Sequence, residues 1–197
     1  MRINKALPSL LLAGLSVNMG GRNMTEQEKR KKRCCFTGHR PEKLDRPEAE
    51  IVPWLESEIR KAVDDGFVTF ISGMARGVDI WAAEIVLRLR DEGFPIHLIC
   101  ASPFEGFERS WEENWKQRYA DVMRKADLVK YICKNYSRAC FQIRNEWMVD
   151  HSVRVIAVFN GQSGGTRNTI QYAKANGLEV KFIDSSYANN NPHQAQQ

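Results

Sequence analysis

From Arg33 onward the chain alternates between short apolar runs and longer stretches in which apolar residues recur every three or four positions. The runs "RCCFT", "FVTFIS", "IHLICA", "DLVKYIC", "VRVIAVF" and "LEVKFID" predict six strands. They are continuous rather than alternating, so both faces of each strand are expected to be covered. Ile51, Trp54, Leu55, Ile59 and Val63 predict a helix from about Glu48 that ends at "DDG". Val78, Trp81, Ala82, Ile85, Val86 and Leu89 form the stripe of a second helix. Further helices are predicted over 110–126, 139–151 and 166–176, with Gly177 as the C-terminal cap of the last.

Strands and helices that alternate in this way predict an α/β protein. The expected architecture is a three-layer, Rossmann-like fold: a mostly parallel twisted sheet with helices on both faces. Open sheets of this kind bind ligands beyond the carboxyl ends of their strands. The loops 38–41, 72–77, 102–107, 135–139 and 160–166 are therefore where chemistry is expected.

The domain is expected to span 33–184. It is preceded by a basic leader, 1–32, and followed by a polar tail, 185–197, both expected to be disordered. In the leader, Arg2 and Lys5 precede "LPSLLLAGLSV", which has the length of a signal-peptide core but is too short to span a bilayer, which takes ~20 apolar residues. No clear small-residue cleavage site follows it. Met24 offers an alternative start, which would make the first 23 residues upstream translation. The expected location is the cytoplasm, with no membrane partner.

Charge alters the picture mainly by its position. The net charge is +5, yet residues 1–33 alone carry eight Lys/Arg against Glu26 and Glu28. The remainder holds 21 basic and 22 acidic residues, so the body is close to neutral. A nucleic-acid-binding domain usually carries a basic face, so nucleic acid is not an expected partner except through "KRKKR". The five cysteines are odd in number and lack CxxC spacing, which suits a reducing compartment and predicts no metal site.

"ISGMARGVDIWAAE" joins the second strand to the second helix. Ser72, Gly73 and Gly77 permit close backbone approach, and the helix N-terminus offers unpaired N–H groups to an anion. The spacing is GxxxG, so neither G-x-G-x-x-G nor G-K-[ST] is present. Asp79, in the first helical turn, would repel a phosphate but could accept hydrogen bonds from ribose hydroxyls. An ordinary strand-to-helix turn with a first-turn acid explains the same residues equally well.

A second glycine loop, "NGQSGGTRNTI", places Gly164 and Gly165 before Thr166, whose hydroxyl could cap a helix or bond a phosphate. In "TGHRP", Arg40 could pair a phosphate and His39 could serve as acid, base or hydrogen bonder; a solvated turn is the plain alternative. Phe104, or a tryptophan near its loop, could stack on a base, although Trp111, Trp115 and Tyr119 also read as a packing stripe. Gln142, Asn145 and Asp150 are polar in an otherwise packed helix, and Asp150 opposes the dipole at its C-terminus. No nucleophile–base pair emerges: Ser72 and Cys100 lack a G-x-S-x-G context.

The stretches "CCFTGHRPEKL", "ISGMARGVDIWAAE", "SPF", "QIRNEWMVD" and "GGT" stand in the order and spacing of the YpsA-like family. The chain resembles that family over about 34–183. The family belongs to the SLOG superfamily, which links DprA proteins with the LOG phosphoribohydrolases. The resemblance implies a nucleotide or nucleotide-derived ligand, of the NAD or ADP-ribose kind, and no required cofactor. It implies no settled reaction, although association with bacterial cell division and stress signalling has been proposed for such proteins; the two glycine loops on one sheet edge favour a module that senses the ligand and signals through a protein partner.

Carried over by motif, the ligand set is Gly38, His39, Arg40, Ser72, Gly73, Gly77, Asp79, Gly164, Gly165 and Thr166. Met74, Pro103, Phe104 and Asn145 complete the candidates. A homodimer is compatible with this reading. LOG enzymes carry P-G-G-x-G-T and a glutamate on the next helix; "SGGTRNTIQYAKANG" has neither the middle glycine nor an acid before Glu179. LOG-type hydrolysis is therefore not expected. A nucleotide hydrolase using Asp79 or His39 is the alternative.

Overall fold

The apolar runs become the strands of one sheet. The computed structural model describes residues 24–182, in which β1 (Arg33–Gly38), β2 (Thr69–Ser72), β3 (His97–Ser102), β4 (Leu128–Tyr131), β5 (Arg154–Val158) and β6 (Glu179–Phe182) lie in the order β4-β3-β2-β1-β5-β6. All five pairings are parallel, with Cys35 opposite Ile71 and Val155. The sheet is thus wholly parallel.

Alternate residues of β1, β2, β3 and β5 serve two separate cores, the period-two logic of a pleated strand. The edge strands β4 and β6, expected to be covered on both faces, are instead largely exposed, because each has a neighbour on one side alone. Cys34, Phe36, Phe70, Leu98 and Ile156 point to the face covered by α2 (Glu48–Asp64), α3 (Val78–Asp91) and α4 (Glu113–Lys125). Cys35, Ile71, Ile99, Val155 and Ala157 point to the face covered by α5 (Cys140–Asp150) and α6 (Gly165–Ala175). Trp115 and Tyr119 are buried in the first core and Trp111 packs against it, as the stripe reading expects.

The central helix α3 is buried almost all round, with Ile80, Ala83 and Leu87 enclosed as well as the expected stripe. Such a helix is held by packing on every side, each fully buried large aliphatic side chain contributing roughly 1.5–3 kcal/mol. One buried residue in it is charged: Asp79.

Two boundaries differ from the pattern. The fourth helix begins at Glu113 rather than near 110, because "PFEGFERSW" is spent on turns. Part of the leader expected to be disordered is ordered: α1 (Glu26–Arg30) is closed by a capping box between Thr25 and Glu28, and Arg33 pairs with Glu26. The apolar stretch of the leader and the polar tail lie outside the described residues.

Strand order fixes where a ligand can enter. The chain proceeds from β1 through β2 and β3 to β4 in one direction, then returns to β5 and β6 on the other side of β1. The loops after β1 and β5 thus diverge at a topological switch point, and the loop after β2 lies beside it.

Candidate functional site

The loop after β2 is fastened from within. The Ser72 hydroxyl donates to the carbonyl of Asp79 (2.8 Å) and accepts from the Met74 N–H (3.1 Å). Met74 has φ 62°, a left-handed conformation that a non-glycine residue adopts only under constraint, and its side chain is fully buried. The Ala75 N–H donates to Asp79 Oδ2 (3.2 Å).

The same oxygen is 3.3 Å from Arg144 Nη1, which also donates to the Gly73 carbonyl. Both side chains are more than nine-tenths buried. Burial raises the Asp79 carboxyl above its ordinary range, against the pull of Arg144 and the Ala75 N–H. Burial lowers Arg144 in turn, against the pull of Asp79.

Gly73 is glycine for a steric reason: a Cβ there would overlap the Arg144 guanidinium and lie 2.8 Å from Asp79 Oδ2. Gly77 caps α3 with φ 86°, and a Cβ would sit 2.9 Å from Pro41 Cδ, so the loops after β1 and β2 touch at that point.

Where these loops meet the segment after β3, a cleft of about 330 Å³ opens. Arg40 enters it from the loop after β1 and Arg76 from the loop after β2. Phe104, Trp111, Tyr136 and Phe141 form its walls, with Phe104 edge-on to Tyr136 at 5.4 Å and to Phe141 at 6.1 Å. Arg76 Nη2 reaches Glu42 Oε1 at 3.1 Å, but its Nε is buried without a partner among the described residues. Glu112 also borders the cleft, so two cations outnumber one carboxylate there, beside aromatic walls that suit an anionic group joined to a planar ring. A larger groove, about 460 Å³, runs between α3 and α4, but most of its charges already pair, as in Arg118–Glu84 and Arg88–Glu92.

Over the switch point, His39 is 6% exposed and stacks on Phe159 at 5.6 Å, with Nε2 buried and unpartnered among the described residues. Burial, then the charge of Lys43, depresses its pKa below the ordinary value, outweighing Asn160 and Asp45. The neutral imidazole is thus favoured. Asn160 bridges back to the Lys43 carbonyl at 2.6 Å.

Comparison with known proteins bears on this architecture. The YpsA family model, described as the "YspA SLOG family", matches residues 34–187. The chain belongs to this family. A SPbeta prophage-derived protein of Bacillus subtilis, YoqJ, is 36% identical over 117 residues, 53% of this chain and 68% of that protein. A UPF0398 protein of Bacillus thuringiensis is 28% identical over 159 residues, 77% of this chain and 86% of the relative. One from Oceanobacillus iheyensis is 27% identical over 114 residues, and there the match spans only 61% of the relative. Among solved structures, DNA processing protein A from Helicobacter pylori superposes with a TM-score of 0.55 at 18% identity, covering 87% of this chain and 76% of that one. The Streptococcus pneumoniae protein gives 0.54 at 17% identity, covering 84% and 56%. At such identities the likeness shows the fold.

Within this SLOG chain the sequence candidates separate into groups. Arg40 and Phe104 line the cleft. Ser72, Gly73, Met74, Gly77 and Asp79 build the loop beside it, their polar groups largely turned inward. Pro103 is buried, its carbonyl taking the Cys133 N–H at 2.9 Å. Gly38 closes β1 against Val78. Gly164, Gly165 and Thr166 open α6 on the far side of the switch point, near Asn145, whose Nδ2 lies 3.7 Å from where a Gly165 Cβ would be. Thr166 does not cap that helix: the N-cap is Gly164, and no side chain bonds there. Asp150, whose position suggested a partner, accepts from the Tyr172 hydroxyl at 3.0 Å.

Arg144 and Arg76 escaped the sequence reading. A carboxylate at Asp79, among the apolar residues Val78 and Ile80–Ala83 of the first turns of α3, was the signal that pointed to a buried cation. Among the described residues no group of three or more His, Cys, Asp or Glu side chains is placed to hold a metal, and no helix is long and apolar enough to cross a membrane.

Proposed function

We propose that this SLOG protein binds a nucleotide-derived ligand in the cleft between Arg40 and Arg76 and acts as a sensing module, through a protein partner, in the cytoplasm. The observation that carries the reading is the convergence of two arginines, from two different strand-end loops, on a cleft walled by Phe104, Trp111, Tyr136 and Phe141. Arginine forks the oxygens of a phosphate, and the aromatic walls receive a base. Supporting a binding role over hydrolysis, neither His39 nor Asp79 lines that cleft, and Asp79 is engaged with Arg144. The unpaired cysteines, Cys34, Cys35, Cys100, Cys133 and Cys140, fit a reducing compartment.

A second reading is single-stranded nucleic acid. The Helicobacter pylori protein of like fold is described by its single-stranded DNA binding mode, which weighs against the expectation that nucleic acid is not a partner. Arginines beside aromatic stacking surfaces are also what a single-strand groove offers. Calorimetric titration with ADP-ribose, NAD, nucleoside monophosphates and a short oligodeoxynucleotide tests both. Saturable binding of a mononucleotide or dinucleotide that is lost in Arg76→Ala supports the first. Binding of the oligonucleotide alone, with steep salt dependence, replaces it with the second.

A further inference from the structure

The aromatic walls of the cleft form a row. Tyr136 meets Phe104 edge-on at 5.4 Å, Phe104 meets Phe107 at 5.6 Å, and Phe107 meets Trp111 at 4.9 Å. Tyr136, the most exposed of the four, ends the row on one side, and Trp111 ends it on the other. Glu112 follows Trp111 in the chain and borders the same cleft as Arg40 and Arg76.

Glu112 lacks the ordinary structural uses of a surface carboxylate. It is the N-cap residue of α4, yet its side chain makes no capping hydrogen bond. Among the described residues it enters no ion pair, whereas Glu113 beside it pairs with Lys116 at 3.4 Å and Arg76 pairs with Glu42. A carboxylate at this place repels a bare phosphate, or any other plain anion, drawn to the two arginines. A ligand with hydroxyl groups next to its anionic group reverses that cost, because a carboxylate accepts hydrogen bonds and donates none. Its two oxygens match the two hydroxyls of a cis-diol.

We infer that the cleft takes a ribonucleoside 5′-monophosphate and that Glu112 selects its sugar, accepting from the 2′- and 3′-hydroxyls. This rests on the nucleotide reading above and names the ligand within it. The phosphate is held by Arg40 and Arg76, and the base lies at the exposed Tyr136 end of the row. At about 330 Å³ the cleft is at the small end of the roughly 300–1,000 Å³ usual for ligand pockets, which favours one nucleotide over a dinucleotide. The carboxylate also disfavours DNA: a 2′-deoxyribose leaves one oxygen without its donor, and a phosphate chain brings further negative charge.

The test is calorimetric titration of the full-length chain with AMP, GMP, CMP and UMP, with their 2′-deoxy forms, and with NAD. Wild type is expected to bind a ribonucleotide at least about 10-fold more tightly than its 2′-deoxy form, the worth of a hydrogen bond to a charged group. In Glu112→Ala that preference disappears, because the ribonucleotide loses more than its 2′-deoxy counterpart. Glu112→Gln, which keeps one acceptor oxygen and loses the charge, falls between. Glu112 is exposed, so both variants should keep the wild-type urea midpoint. Equal affinity for ribose and deoxyribose forms in wild type, or a preference that survives Glu112→Ala, overturns the inference and leaves the nucleotide reading standing. Binding of NAD alone does the same. A preference among bases that Glu112→Ala abolishes, with no effect of the sugar, puts the carboxylate on the base and also overturns it. Binding of none of these nucleotides removes the nucleotide reading itself, and this inference with it.

Discussion

Arg144 and Asp79 stand 65 positions apart in the chain and meet in the interior, Nη1 to Oδ2, over the carbonyl of Gly73. Neither is free to leave, because each is the other's compensation for burial. A buried charge stripped of its partner costs about 3–5 kcal/mol. Arg144→Met should therefore lower the unfolding free energy by that order in urea titrations. The double variant with Asp79→Asn should recover a substantial part of the loss, since it removes the orphaned charge.

The glycine pair tests sterics apart from charge. Gly73→Ala places a methyl against the Arg144 guanidinium and should destabilise by about 1–3 kcal/mol, as overpacking does. Gly165→Ala finds its nearest neighbour at 3.7 Å and should leave the urea midpoint almost unmoved. Equal effects at the two sites would contradict this geometry.

Arg40→Ala and Arg76→Ala should each weaken nucleotide binding by about 10–100-fold, the worth of a charge-assisted hydrogen bond of ~1.5–3 kcal/mol. Thermal midpoints without ligand should change little for Arg40, which is exposed. Arg76→Lys should restore less than the full affinity, because an ammonium lacks the fork.

His39 gives the pH dependence. Its folded pKa lies below the ordinary 6.5, so the neutral form is the one the fold prefers. The stability from this preference is complete above 6.5 and is lost as pH falls through the folded value. An imidazole NMR titration should show a midpoint under 6.5, and His39→Gln should flatten the acid limb of the stability curve.

Most of the fold was legible because its code is local. Runs such as "VRVIAVF" state burial on both faces, and Gly177 (φ 73°) ends α6 where expected. The helix start at Glu113 was blurred because Trp111 continues the apolar spacing of Trp115 and Tyr119 while the backbone is still turning. The site was legible in part. Arg40 and Phe104 were named from their place at strand ends, but Arg76 looked like any polar loop residue. Arg144 lies on a helix that follows the edge strand, and only the crossing of α5 over the sheet brings it to the loop after β2. No periodicity encodes that meeting.

That crossing has a mechanical consequence. Consecutive residues of a helix point about 100° apart. In α5, Arg144 holds the Gly73 loop while its neighbour Asn145 lies against the Gly165 loop. A rotation of α5 about its axis would move both side chains together. The two glycine loops thus share one helix as their neighbour, Arg144 on the one side and Asn145 on the other.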